Sequence, residues 1–332
     1  MTLVPFHDAD NIGDRFLALL SRHNINAPAG SSFEDELLSL SQLVEVMKNP
    51  GLAHGANQVT LLRAAAGLHD FAAKVLSVEP VAEFNGFLPH LRLIAQTKMA
   101  PASLGQNMSS SYNDDTARKM AELYMGCLAA HVGTQVDLDS PTAAKGDNPD
   151  VIFTATPTVC DVPQQPERWA LAIKTIGTSH GQTIFERIKE GGEQIDDPKC
   201  SAQKGMVVIN AKNALDHDAL WNGTFSNLQS AMDALGNQLD LLADKANTNR
   251  PQSDWDATFS GKVKRPVLFL GQSLVSLPTA AGARTPTALK MLKAYGANGA
   301  LDPTASGLAH CLNYFMQTIL LGLPGANGRQ PR

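Results

Sequence analysis

The chain has 332 residues, of which 43% are hydrophobic and 18% are charged, and its formal net charge is −5. This length exceeds the usual range of about 100–200 residues for one compact domain, so we expect two domains or one domain with a helical extension. The acidic balance excludes a broad basic surface, so any contact with nucleic acid must be local. A basic and apolar leader and a run of about 18 apolar residues are both missing from the sequence, which predicts a cytoplasmic protein with no membrane contact.

The first 100 residues carry helical patterns only. Apolar side chains recur at intervals of three and four within residues 14–23, 32–47 and 58–76, and a fourth helical region extends to about residue 99. We therefore predict an all-α N-terminal domain over residues 1–100, with no evident chemistry of its own.

The next stretch is small and polar, with the sequence Pro-Ala-Ser-Leu-Gly-Gln-Asn-Met-Ser-Ser-Ser over residues 101–111. This composition is typical of a linker or an exposed loop. We predict a linker there, a second domain over residues 112–325, and a flexible tail over residues 326–332.

Helices and strands are mixed after the linker. We predict, in chain order, a helix at 116–132, strands at 135–139, 151–156 and 169–176, a helix at 183–195 and a buried strand at 205–210. Further on we predict a helix at 225–243, a strand at 265–270, and helices at 286–295 and 304–323. This order predicts an α/β domain with a mixed sheet and C-terminal helices.

One lysine, Lys174, lies near the end of an otherwise apolar strand. A lysine is almost never buried unless it is paired. Because side chains alternate across a strand, Lys174 shares its face with Ala170 and Ala172, whose small side chains leave room for a ligand or a metal. The simpler alternative is a lysine at a strand end that extends into solvent.

A carboxylate, Asp150, follows Pro149 at the start of the preceding predicted strand. If the two strands form a hairpin, we expect Asp150 to lie within ion-pair reach of Lys174. Together with Asp150 and Lys174, a carboxylate from the preceding helix would complete a site for Mg²⁺, which prefers oxygen ligands. The simpler alternatives are turn chemistry for Asp150 and a surface pair with Arg118 for Glu122.

The order of these motifs resembles the PD-(D/E)xK, restriction-endonuclease-like superfamily over about residues 112–212. Glu122 lies on a predicted helix, a Pro-Asp pair ends at Asp150, and Ala-Ile-Lys ends at Lys174 on the next strand. A helix and a buried strand then follow, as the superfamily's framework requires. The resemblance implies a mixed-sheet restriction-endonuclease-like core.

The resemblance also implies the roles of the individual residues. Asp150 and Glu122 would hold Mg²⁺ or Mn²⁺, and Lys174 would act in catalysis. Gln194, in the following helix, matches a polar position near the lysine and would orient a water or a phosphate. The predicted catalytic residues are thus Lys174, Asp150, Glu122 and Gln194.

One position departs from the pattern of the superfamily. The second motif carboxylate, two residues before the lysine, is Ala172 in this chain, and a methyl group cannot bind a cation. Glu122, Glu186 or Glu190 is a candidate for the substitute carboxylate, and the sequence does not distinguish among them.

Two consecutive glycines, Gly191 and Gly192, lie within the helix predicted after Lys174. Each costs a helix about 1 kcal/mol relative to alanine. Either the helix ends early at this point, or it approaches another backbone or a nucleic-acid strand closely.

The resemblance implies metal-dependent hydrolysis of DNA phosphodiester bonds, with DNA bound through a local basic cleft, and a homodimer is compatible with it. The alternative is a catalytically inactive nuclease fold that binds nucleic acid or a protein partner. A third possibility is an interaction module built on the helical domain.

Overall fold

The computed structural model describes residues 11–48, 58–96, 102–105, 115–141, 148–156, 158–159, 162–163, 165–279 and 282–318. The first helices are α1 (Ile12–Arg22), α2 (Ser32–Lys48), α3 (Gln58–Val78), α4 (Leu88–Ala95) and α5 (Asp115–Val132). The strands are β1 (Gly133–Leu138), β2 (Val151–Ala155), β3 (Thr158–Val159), β4 (Val162–Pro163), β5 (Glu167–Thr175), β6 (Lys204–Asn210), β7 (Val267–Pro278) and β8 (Arg284–Tyr295). The later helices are α6 (Gly181–Asp196), α7 (His217–Asn222), α8 (Leu228–Asn247), α9 (Gln252–Thr258) and α10 (Pro303–Thr318). Short 3-10 helices lie at Ala82–Gly86 and Lys212–Ala214.

The protein has a mixed α/β fold built on a six-stranded sheet with the order β1-β2-β5-β6-β7-β8. β1, β2 and β5 are antiparallel neighbours, whereas β5, β6 and β7 run parallel to one another. β8 returns antiparallel to β7 along its whole length, and β3 and β4 form a separate small ladder. α6 joins β5 to β6, because parallel strands need a crossover connection.

Strand β5 carries a different set of side chains on each face of the sheet. Leu171 and Ile173 belong to the apolar cluster that includes α1 to α5 and α10. Ala170 and Ala172 belong to a second cluster, with α6 and α8. The predicted alternation along β5 is therefore confirmed, and the sheet lies between two layers of helices.

The N-terminal helices pack in the same apolar cluster as one face of the sheet. Phe16 of α1 and Phe71 of α3 share this cluster with Trp169 of β5, and all three are buried. Over residues 11–48 and 58–96, the described secondary structure is helical only, as predicted. Within the described ranges, no helix is long and apolar enough to span a bilayer.

The structure describes residues 102–105 of the predicted linker. Glu36 of α2 accepts hydrogen bonds from the backbone N–H groups of Ala102 and Ser103, at 3.0 and 2.8 Å. Leu104 N–H donates to the carbonyl of Arg63 in α3 at 3.0 Å. This short segment is therefore buried against α2 and α3, and the division into two domains there stays a prediction. The predicted tail lies outside the described residues.

The helix predicted over residues 286–295 is wrong, because this segment forms most of β8. Its Ala, Leu, Lys and Met residues favour a helix, but pairing with β7 over twelve residues overrides that local preference. Pro286 is compatible with a strand because β8 lies at the edge of the sheet, where a missing N–H group is tolerated.

A buried charge cluster joins α3 to α5, β7 and β8. Asp70 accepts hydrogen bonds from Lys74 at 3.0 Å, from Tyr124 at 2.8 Å and from Gln272 at 3.2 Å, and it also pairs with Lys290. Burial alone would raise the pKa of Asp70, but the attraction of Lys290 and Lys74 holds that pKa well below its ordinary value. Asp70 is therefore ionised at neutral pH and holds two lysines beneath the surface.

Candidate functional site

The predicted site residues lie at one end of the sheet. Glu122 is on α5, Asp150 directly precedes β2, Lys174 is the second-last residue of β5, and Gln194 is on α6. Because β2 and β5 are antiparallel, the start of β2 lies beside the end of β5. The fold thus brings together residues that are separated by up to 72 positions in the chain (194 − 122).

Asp150 is buried and is held against β5. Its Oδ2 atom accepts a hydrogen bond of 2.6 Å from the backbone N–H of Ile173. Burial, together with repulsion from Glu122, raises the pKa of Asp150 to about 7. At neutral pH a carboxyl group with this pKa is protonated in about half of the molecules.

Glu122 is fully buried and has two different oxygen environments. Oε2 lies 2.7 Å from Lys119 Nζ and 3.2 Å from His90 Nε2. Oε1 is buried without a hydrogen-bond partner among the described groups. Burial raises the pKa of Glu122, and the carboxyl group of Asp150 lies within hydrogen-bonding reach.

Lys174 contacts Gln194 rather than Asp150. Its Nζ atom donates a hydrogen bond of 2.6 Å to Gln194 Oε1, so the direct ion pair expected between Lys174 and Asp150 is wrong. Burial lowers the pKa of Lys174, and the attraction of Asp150 and Glu190 offsets part of this effect. Gln194 thus lies near the lysine, as expected, but it accepts a hydrogen bond from Lys174 itself, while Asp150 acts on Lys174 through its charge alone.

A cleft of about 420 Å³ opens beside Lys174. Its lining consists of Arg118, Lys174, Thr175, Arg187, Glu190, Glu193, Gln194 and Asp197. Three of these side chains are cationic and three are carboxylates, so their formal charges sum to zero. The local basic cleft that we expected is thus not provided by these side chains alone.

Ala172 is packed beneath α6. A Cβ atom added to Gly191 would lie 3.4 Å from the Cβ atom of Ala172 and 2.9 Å from Val207 Cγ1. The helix continues through Gly191 and Gly192 to Asp196, so the glycines serve the close approach of α6 to the sheet rather than an early helix end. The space next to Ala172 is therefore filled by the protein itself.

The candidates for the substitute carboxylate differ in their positions. Glu190 lines the cleft with Lys174 and pairs with Arg187 at 2.6 Å. Glu186 is exposed, accepts a hydrogen bond from Gln182 at 2.8 Å and is not part of the cleft lining. Glu122 is the candidate that lies directly beside Asp150.

Glu122 and Asp150 are carboxyl groups, which are the ligand type that a hard divalent cation prefers. In the described part of the chain, no group of three or more His, Cys, Asp or Glu residues is arranged to hold a metal ion. Mg²⁺, however, is commonly bound by one or two carboxylates together with waters and substrate phosphates. Glu122 and Asp150 supply two such carboxyl groups, both buried and within hydrogen-bonding reach of each other.

Two residues of the site, Lys119 and His90, were not predicted from the sequence. Lys119 lies one helical turn before Glu122, so the i, i+3 spacing could have identified it. His90 lies 32 positions before Glu122 and carries no local signal, because the contact depends on how α4 packs on α5.

The comparisons identify no relative of this chain: no protein-family model, no curated protein and no solved structure matches it. The chemistry of the site is therefore argued from its own geometry.

Proposed function

We propose that this protein hydrolyses phosphodiester bonds of DNA with the aid of Mg²⁺ or Mn²⁺, on a restriction-endonuclease-like core. The observation that carries the proposal is the buried pair Glu122 and Asp150, which has an unpartnered oxygen and lies at the same sheet end as Lys174. In the metal-free protein a proton shared between Glu122 and Asp150 lowers the cost of burying the two carboxyl groups, and a hard cation would replace that proton.

The order and direction of the elements support this proposal. α5 precedes three antiparallel strands, β1, β2 and β5, and α6 then leads to β6 parallel to β5. This order resembles the framework on which the PD-(D/E)xK superfamily carries its helix glutamate, Pro-Asp and lysine. Glu122, Asp150 and Lys174 follow one another in the same order along the chain.

The metal site would use Glu122 Oε1 and the carboxylate of Asp150. A bound divalent ion would polarise the phosphodiester and lower the pKa of a bound water. The hydrogen bond from Ile173 N–H fixes the Asp150 side chain against β5, so this ligand is held in place before an ion arrives. Glu122 is held in the same way through its other oxygen, Oε2.

Lys174 would act on the reacting water and the phosphate. An ammonium group has three N–H donors, and Gln194 accepts from one of them. The other two are available for the attacking water or a phosphate oxygen, where they would stabilise the charge that develops in the transition state. Hydrolysis adds the water oxygen to phosphorus and breaks one P–O bond, so that the products are a phosphate monoester and a hydroxyl group.

The balanced charge of the cleft makes DNA binding depend on the ion. Three cationic and three anionic side chains give no net attraction for a phosphate backbone. A divalent cation held by Glu122 and Asp150 would offset the negative charge of these two carboxylates and would bind a phosphate oxygen directly. We therefore expect DNA to bind more weakly in the presence of a chelator.

The test is cleavage of single- and double-stranded DNA and of RNA by the purified chain with Mg²⁺ or Mn²⁺. We expect the parent to cleave DNA, and Lys174→Ala and Asp150→Asn to lose at least about 100-fold in rate because both groups act at the reacting phosphate. Lys189→Ala is the matched control, since Lys189 lies on the exposed side of α6 and pairs with Glu193 at 3.7 Å. No cleavage of any substrate by the parent, with any divalent ion, would contradict the proposal.

A second candidate function is a catalytically inactive nuclease fold that binds nucleic acid. The packing of Ala172 beneath Gly191 favours it, because no carboxylate can be accommodated there without moving α6. In that case the parent would bind DNA without cleaving it, and Lys174→Ala would weaken binding.

A further inference from the structure

One side chain of the N-terminal helices, His90, contacts Glu122 of the candidate metal site. His90 of α4 places its Nε2 atom 3.2 Å from Glu122 Oε2, and Lys119 of α5 places Nζ 2.7 Å from the same oxygen. All three side chains are buried, with exposed fractions of 1%, 0% and 7% for His90, Glu122 and Lys119. Both nitrogen atoms therefore contact the same oxygen of one carboxyl group.

The contacts of His90 and Lys119 with Oε2 determine which oxygen of Glu122 is left for a cation. A carboxylate that rotates freely presents either oxygen, but here Oε2 is held by two groups from different helices. Oε1 makes no other hydrogen bond among the described groups, and the carboxyl group of Asp150 lies within hydrogen-bonding reach of Glu122. Hydrogen bonds from outside the metal coordination sphere commonly orient carboxylate ligands in this way.

We propose that His90 and Lys119 are positioning residues that hold Glu122 with Oε1 directed at a divalent cation, so that the N-terminal helices complete the site. This inference rests on the proposed metal-dependent function. It assigns a role to the N-terminal helices that is separate from their packing in the apolar core.

A purely structural role for these residues makes a different prediction. If His90 and Lys119 only neutralise a buried carboxylate, their removal lowers stability and leaves the affinity of the folded protein for metal unchanged. If they position Glu122, their removal weakens metal binding in the folded protein. Metal affinity measured well below the unfolding temperature separates the two roles.

The experiment measures binding of Mn²⁺ to the full chain by the paramagnetic resonance signal of free Mn²⁺. We expect His90→Leu and Lys119→Met each to weaken binding by about 10- to 100-fold, the usual effect of losing such a partner. His90→Gln, which keeps an N–H donor, should stay within about threefold of the parent. His131→Leu is the matched control. His131 is partly buried and its side chain is hydrogen-bonded to that of Ser77 at 2.8 Å, but it lies more than two turns beyond Glu122 along α5.

The outcomes distinguish this inference from the proposed function. If the parent binds no Mn²⁺, or if Asp150→Asn binds Mn²⁺ as tightly as the parent does, both the proposed function and the positioning role are overturned. If the parent binds Mn²⁺ through Asp150 but His90→Leu and Lys119→Met both remain within threefold of it, only the positioning role is overturned. If His90→Leu does not fold, Lys119→Met decides the result.

Discussion

The carboxyl groups of Asp150 and Glu122 lie within hydrogen-bonding reach of each other, and both are buried. Two carboxylates at this separation cannot both be ionised without cost, so the metal-free pair retains a proton. The folded-state pKa of Asp150, about 7, is above its ordinary value of 3.8. The contribution of the protonated Asp150 side chain to the free energy of unfolding is therefore fully present below about pH 4 and is lost as the pH rises to about 7.

We predict that Asp150→Asn stabilises the metal-free protein at pH 8 by about 2 kcal/mol, because an amide needs no proton beside Glu122. The gain should shrink toward pH 4, where the parent carboxyl is protonated in the folded state and partly protonated in the unfolded state. Urea unfolding with a chelator at both pH values measures this difference. A variant that is less stable than the parent at pH 8 would contradict the shared-proton arrangement.

The comparison with the parent is needed because other groups titrate in the same range. Burial lowers the pKa values of His90, His131 and His217 to about 4, so these groups make the protein more stable as the pH rises from about 4 to 6.5. Their contribution has the opposite sign to that of Asp150. The contributions of His131 and His217 are the same in both proteins and cancel in the difference, whereas that of His90 also depends on the charge of Asp150.

Gln194 gives a prediction that is independent of the metal ligands. Replacement by Leu removes the acceptor that holds Lys174 Nζ at 2.6 Å, and a misplaced catalytic group typically costs about 100-fold in rate. We expect kcat to fall by about 10- to 100-fold while Mn²⁺ affinity remains within about threefold. Single-turnover cleavage and Mn²⁺ titration measure the two quantities. A loss of metal affinity equal to the loss of rate would show that Gln194 acts through the ion instead.

The sequence predicts the part of the fold that depends on apolar runs and on chain order. The strands β2, β5 and β6 and the helices α5 and α6 lie within a few residues of their predicted positions, because each pattern is strong and local. The sequence predicts a helix over residues 286–295, where β8 lies, because the local composition favours a helix. The strand depends instead on pairing with β7. Pairing between distant segments leaves little trace in a single sequence.

For the site, the sequence predicts which residues come together but not how their side chains pair. Motif order places Glu122, Asp150 and Lys174 at one sheet end, but whether Lys174 meets Asp150 or Gln194 depends on side-chain packing. The contact of His90 with Glu122 joins two helices and has no sequence signal. The occupation of the space next to Ala172 by α6 could be inferred only in part, from the two consecutive glycines.

Gly191 offers a test of how tightly α6 packs on the sheet. Gly191→Ala should gain about 1 kcal/mol of helix propensity but force its methyl group to within 2.9 Å of Val207 Cγ1, an overpacking that costs about 1–3 kcal/mol. We expect a net loss in the free energy of unfolding, measured by urea titration, and recovery in the double variant with Val207→Ala. Gly192→Ala is the control, with a nearest contact of 3.3 Å to Thr258. Equal effects at the two glycines would contradict the close approach at Gly191.

Asp70 tests the attachment of α3 to the sheet. Asp70→Asn leaves Lys74 and Lys290 without their shared counter-charge, and breaking a buried pair in this way costs about 3–5 kcal/mol. Thermal and urea unfolding measure the loss. The control is Glu79→Gln, which removes the largely exposed pair with Arg22 and should cost less than about 1 kcal/mol. Similar losses for the two variants would mean that the buried cluster contributes little.

The most direct test of the account is the position of Mn²⁺ in crystals of the full chain, read from its anomalous scattering. We predict one strong peak about 2–2.5 Å from Glu122 Oε1 and from a carboxylate oxygen of Asp150, at the sheet end that also holds Lys174. The peak should disappear in Asp150→Asn and remain in Lys174→Ala, because the lysine is not a ligand. A peak at a different place, or no peak in a crystal soaked with Mn²⁺ above pH 7, would contradict the metal-dependent site.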